Sequence, residues 1–132
     1  KNYFLKKLKS CKKSVVISNV GGFQSESFTK IEKNILHNIF LKPAYEFVKE
    51  LNPRKKINLK LLNYWLNLNK TNNYNELHNH LGFLDNPNFY TKFFMVPKEG
   101  DLYLFTSNTL HYAEPNLSKE DRISVAFNLE VC

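Results

Sequence analysis

Arg122-Ile-Ser-Val-Ala-Phe-Asn-Leu-Glu-Val131 is the stretch from which the fold is read. Apolar and polar residues alternate along it, the period of a β-strand. Ile123, Val125, Phe127, Leu129 and Val131 share one face, and Arg122, Ser124, Ala126 and Asn128 share the other. The first face belongs against a core. The second carries a charge, a hydroxyl and an amide, and looks into something polar. Arg122 is one of only two Arg in the chain. A guanidinium fork beside a hydroxyl suits a carboxylate, because two parallel N–H groups match two oxygens. The alternative is an Arg paired with an acidic neighbour at a barrel rim.

Further strands are expected upstream. Ile57, Leu59 and Leu61 alternate, and Leu62, Tyr64, Leu66 and Leu68 alternate on the shifted register. That predicts a strand with a bulge, or two strand pieces. A polar turn at 70–73 leads to a strand over 74–81. Strands are also expected over 89–95 and 101–105, with a tight turn at 106–109 and another turn at 115–121. A hairpin would then bring His111 beside Arg122, eleven residues on.

The first third reads as helical. Ile31, Ile35, Leu36, Ile39 and Phe40 mark one face of a helix over 28–41. Pro43 suits the first turn of a second helix, which turns Ala44, Phe47, Val48 and Leu51 inward and ends at Asn52-Pro53. Helices followed by antiparallel strands make a mainly β fold, a sandwich or barrel with helices packed on one side.

The chain has 132 residues, enough for one domain. With 42% hydrophobic and 14% aromatic residues it can bury a core, which argues against disorder. No apolar run is long enough to span a membrane. Residues 1–13 are basic, but no long apolar run and cleavage site follow, so they do not read as a secretory signal. The first residue is Lys rather than Met, so a preceding segment stays open. Cys11 and Cys132 lie at opposite ends and form neither a disulfide framework nor a metal-ligand spacing. A reducing, intracellular setting is expected, the cytoplasm of a bacterial cell or a phage-infected host.

The net charge of +7 comes from seventeen Lys and two Arg, and Asn occurs eighteen times. Joint enrichment in Lys and Asn is what an AT-rich coding sequence produces. Nucleic-acid readers rely on Arg for bidentate contacts. A solvated basic surface is therefore favoured, and no nucleic-acid partner is expected.

The chain has four His. His37 falls on the first helix and reads as a packing or surface residue. His78 and His80, two apart on a strand, project from one face. That spacing suits two ligands of one metal, although exposed strand His in an Asn-rich segment would look the same. Glu76, one step earlier on that face, is a candidate carboxylate ligand. His111 and the Arg122–Ser124 pair can converge with them in one cavity.

His78-Asn79-His80, then His111, then Arg122-Ile123-Ser124 resembles the signature of the non-haem iron, 2-oxoglutarate-dependent dioxygenases: H-x-D/E, a distant His, and R-x-S about ten residues later. The chain resembles in particular a group of prolyl-hydroxylase-like 2-oxoglutarate/Fe(II) oxygenases of marine bacteria and phages. The resemblance extends over Ser18-Asn-Val-Gly-Gly-Phe-Gln-Ser25, Trp65-Leu-Asn-Leu-Asn69, Tyr74-Asn-Glu-Leu-His-Asn-His80, Gly100-Asp-Leu-Tyr-Leu-Phe105 and Arg122-Ile-Ser-Val-Ala-Phe-Asn128.

The resemblance implies a double-stranded β-helix (jelly roll, cupin-like) with helices on the major sheet. It implies Fe(II) held by His78, His80 and His111, and 2-oxoglutarate bound by Arg122 with Ser124 assisting. Asn67, Asn69 and Asn128 are candidate polar contacts to that co-substrate. The activity implied is oxidative decarboxylation of 2-oxoglutarate coupled to substrate oxidation, most often a hydroxylation. The substrate, a small molecule or a peptide, is not readable, and a homo-oligomer stays open. Trp65 is assigned to packing.

Two departures stand out. The second ligand position is His80 rather than Asp or Glu, which leaves a neutral triad unless Glu76 replaces it. In addition, thirty residues separate His80 from His111, whereas four intervening strands at roughly nine to ten residues each need about forty. The Ser-Gly-x-Tyr-Tyr strand of the similar group is absent, and residues are expected to be missing between Gly82 and Phe83. Two other readings remain: a cupin-type metal protein without 2-oxoglutarate chemistry, and a non-catalytic β-sandwich binding module.

Overall fold

The computed structural model describes residues 2–80 and 93–132. It is a mixed helix and sheet structure with two antiparallel three-stranded sheets. The elements run α1 (Asn2–Ser10), β1 (Asn19–Val20), β2 (Phe23–Gln24), α2 (Lys33–Ile35), a π-helical turn (Leu36–Leu41), α3 (Lys42–Glu50), β3 (Leu59–Asn69), β4 (Tyr74–His78), β5 (His111–Ala113) and β6 (Arg122–Val131). One sheet has the order β2-β3-β6 and the other β1-β4-β5.

The β3–β6 ladder carries the fold. Leu59 pairs with Val131 at one end and Asn69 with Arg122 at the other. Its register shifts between Leu61, opposite Leu129, and Asn63, opposite Asn128, so Leu62 is the extra residue of a β-bulge. That is why the apolar positions change from odd to even numbers there while staying on one side. Tyr64 and Leu66 are fully buried, and Leu61, Val125 and Phe127 pack against them. Ile123 and Val131, expected inward, are exposed.

Helices cover this apolar side. Phe4 of α1 and Phe40 of the π turn complete the buried cluster with Tyr64 and Leu66. The Phe40 ring meets Phe127 edge-on at 4.7 Å between centroids, a favourable aromatic geometry. α1 was not expected as a separate helix.

The expected helix over 28–41 starts only at Lys33. Phe28 is held instead by a two-way backbone bridge to Tyr64, at 2.8 and 3.0 Å. From Lys33 to Glu50 the helical path is continuous, with a π turn in place of the expected break. Pro43 has no N–H to give to the previous turn, and its ring crowds the carbonyl four residues back. The chain widens just upstream, where Lys42 N–H reaches His37 O, five residues back. Of the residues expected inward on α3, Ala44 is buried and Val48 half-buried, whereas Phe47 and Leu51 are exposed.

Other expected strands differ. Residues 93–95 are not strand, and Phe93 and Phe94 are exposed; the 89–92 part lies outside the described residues. Residues 101–105 are irregular. Asp101 instead closes a local turn, accepting from Lys98 N–H at 2.8 Å and Tyr103 O–H at 3.0 Å. The junction between Gly82 and Phe83 lies outside the described residues.

His111 does not form a hairpin with Arg122. β5 pairs with β4, and β6 pairs with β3 in the other sheet. The sheets are tied together at the turn after β3. There Asn69 Nδ2 donates to Asn75 Oδ1 at 2.9 Å, and Asn116 Nδ2 donates to Asn69 O at 2.9 Å and to Glu120 O at 2.7 Å. Asn116 also exchanges backbone bonds with Asn72 and Asn73. Among the described residues no helix is long and apolar enough to cross a membrane.

Candidate metal and anion site

The polar side of the β3–β6 ladder follows from its register. Opposite residues in an antiparallel pair project from one face. Asn63, Trp65, Asn67 and Asn69 therefore stand beside Asn128, Ala126, Ser124 and Arg122 respectively. Trp65, assigned to packing from sequence, is on this side, its ring 5.4 Å from the His80 ring.

Across from this face stand three His. His78 ends β4 and pairs directly with His111 on β5. His80 lies two residues beyond His78, its backbone N–H held by Ser107 O at 3.0 Å. Ring centroids are 4.3 Å apart for His78 and His111, 5.1 Å for His80 and His111, and 5.8 Å for His78 and His80. One ring nitrogen from each residue lies within 4.8 Å of the others. Glu76 is exposed and is not part of this group; its backbone carbonyl is used instead. His37 is exposed on the π turn, away from the cluster.

The hydrogen bonds decide which nitrogen each ring offers. His78 Nδ1 meets Glu76 O at 2.7 Å, His80 Nδ1 meets Asn128 Oδ1 at 2.7 Å, and His111 Nδ1 meets Thr109 O at 2.9 Å. All three partners are oxygen acceptors, so each ring donates from Nδ1 and carries its lone pair on Nε2. His80 Nε2 is buried and has no partner among the described residues. Burial holds the His111 imidazolium below its ordinary pKa, and the neighbouring His78 and His80 lower it further, against the Thr109 carbonyl. A neutral ring is the form that binds metal. Three imidazole nitrogens suit a divalent first-row ion, iron included. The residues therefore fit a metal.

Arg122 supplies the charge of the opposite wall. Its Nη2 is buried without a partner among the described residues, and burial pulls its pKa down. Leaving such a donor unmet is costly unless an anion completes it. Asn67 Oδ1 and Asn69 Oδ1 are also buried and unpartnered. Asn69 is partly committed elsewhere through its bond to Asn75, and its oxygen sits against Gly22, where any Cβ would overlap it. Ser124 is exposed, opposite Asn67. Asn128, a candidate co-substrate contact, is bonded to His80 and Asn63. Asn63 was missed from sequence, although the alternation after the bulge places it on the polar side.

A family model described as "Putative 2OG-Fe(II) oxygenase" matches residues 84–128. The matched segment contains His111, Arg122, Ser124 and Asn128, while His78 and His80 precede it. No curated protein and no solved structure matched the chain. Over the matched segment the chain is thus similar to a 2-oxoglutarate- and Fe(II)-dependent oxygenase family.

Proposed function

We propose that this protein is a non-haem Fe(II)- and 2-oxoglutarate-dependent dioxygenase, most simply a hydroxylase, built on a jelly-roll domain. The observation that carries the reading is the cluster of three imidazoles, one ring nitrogen of each within 4.8 Å of the others, on the side of the sheet that bears Arg122, whose Nη2 is buried without a partner among the described residues. His78, His80 and His111 would hold Fe(II), which when bound supplies the oxygen chemistry of the reaction. Arg122 would take the far carboxylate of 2-oxoglutarate, with Ser124 and Asn67 beside it.

The spacing supports a short ligand. Ala126 stands opposite Trp65, next to the His80 ring. Arg122 is four residues further along β6, about 13 Å of strand. A long Arg side chain and a small diacid together fit that gap. The protein's own share of the work is to fix the ligand tautomers, to neutralise the diacid and to exclude water around the buried Nη2 of Arg122. A small molecule or a peptide side chain is the substrate class, with no nucleic-acid or membrane partner.

Anaerobic titration with Fe(II) and then 2-oxoglutarate tests this. A charge-transfer band is expected in the wild type and not in Arg122→Ala, with Fe(II)-dependent succinate release in air. Metal binding without any response to 2-oxoglutarate would favour a cupin-type metal protein instead.

A further inference from the structure

Asn128 has two committed hydrogen bonds on the polar side of the sheet. Its Oδ1 accepts from His80 Nδ1 at 2.7 Å, and its Nδ2 donates to Asn63 Oδ1 at 2.9 Å. Asn63 and Asn128 are direct cross-strand partners, the first pair after the bulge. The second bond fixes the first: while Nδ2 is engaged by Asn63, the amide must present oxygen to the imidazole. The consequence falls on the far side of the ring, where His80 Nε2 is buried and has no partner among the described residues.

The other two ligand candidates are treated differently. His78 and His111 are each held by a backbone carbonyl two residues away in sequence. Those acceptors are local and cannot be removed by a side-chain change. Of the three, His80 alone is held by a side chain, that of Asn128, 48 residues away in sequence.

We propose that Asn63 and Asn128 form a two-amide relay that positions His80. The relay holds His80 in the Nδ1–H tautomer so that Nε2 is presented to the metal. It rests on the reading of the three His as a metal centre, and assigns positioning roles to two residues outside it. Because the acceptor is a neutral amide, the ring is oriented without being given anionic character, and the bound ion keeps its full charge toward an anionic ligand.

Cobalt(II) titration followed by visible absorption, together with long-range 1H–15N correlation of the imidazoles in metal-free protein, tests the relay. Wild-type His80 is expected as a single Nδ1–H tautomer. Asn128→Ala is expected to mix the tautomers and to weaken Co(II) binding by about 10- to 100-fold. Asn128→Asp, which keeps an acceptor, is expected to restore both. Asn63→Ala is expected to give a smaller loss in the same direction. An unchanged tautomer in Asn128→Ala, or an Asn128→Asp variant no better than the Ala variant, would overturn the relay. If the wild type binds no Co(II), the metal reading falls, and the tautomer comparison still decides the relay. Should Asn128→Ala fail to fold, the Asn63→Ala and Asn128→Asp spectra carry the same decision.

Discussion

His78 and His111 face each other across one rung of the β4–β5 ladder, with ring centroids 4.3 Å apart. Residues 33 positions apart in sequence are thereby brought together by backbone pairing alone. Their alignment belongs to the scaffold, and a bound metal would lock the ladder in return.

Metal should therefore stabilise the fold. Ligand binding to the native state at about 100 times Kd adds about 2.7 kcal/mol. A rise in Tm with added Co(II) or Fe(II), reversed by chelator, is the expected outcome in calorimetry. His78→Ala and His111→Ala should each abolish that rise.

Arg122 makes a two-sided prediction. The Arg122→Met variant removes a half-buried guanidinium whose Nη2 has no partner among the described residues, so the ligand-free protein should gain about 1 kcal/mol in urea unfolding. The same variant should lose 2-oxoglutarate affinity by about 2 kcal/mol or more, roughly 30-fold, because the carboxylate loses its charged partner. Calorimetric titration of the metal-loaded protein checks the second part.

Phe40 and Phe47 separate core from surface about two helical turns apart. Phe40 is 1% exposed and Phe47 is 42% exposed. Phe40→Ala should cost about 3 to 5 kcal/mol. Phe47→Ala should cost no more than about 0.5 kcal/mol, the usual range for a surface change. Urea midpoints of the two variants give the comparison directly.

The two thiols should react at different rates. Burial raises the Cys11 pKa, the Glu26 carboxylate raises it further, and Lys7 opposes both. The Cys11 thiol also donates to Lys7 O at 3.3 Å. A raised pKa means less thiolate near pH 8, so Cys11 should lag behind the exposed Cys132 in alkylation by iodoacetamide. Its rate should keep climbing as pH rises beyond the ordinary thiol range. Peptide mass spectrometry across pH values reads both sites at once.

The β3–β6 ladder was legible from residues 59–69 and 122–131 because its alternation is strict and changes phase only once, at the bulge. The three His were legible as a group because the expected strand over 74–81 gave His78 and His80 one direction, although β4 ends at His78 and His80 lies just beyond it. Residues 101–105 were not legible: four apolar residues in a row have no period, and Asp101 at their start closes a local turn by accepting from Lys98 N–H. The start of the helical run was missed because Ile31 fits a helical face, whereas the Phe28–Tyr64 bridge is a tertiary contact that no local pattern encodes. Asn128 was recognised as facing the site but not as the partner of His80, since a cross-sheet hydrogen bond leaves no mark on either segment alone.

The bulge absorbs the extra residue at Leu62, so the apolar sides of the two stretches of β3 coincide. Removing it would restore plain two-residue alternation from Leu61 to Tyr64, with neither stretch turned over. The strand thus has a built-in point where its length can drift by one residue while the helix-covered side and the histidine-facing side both keep their orientation.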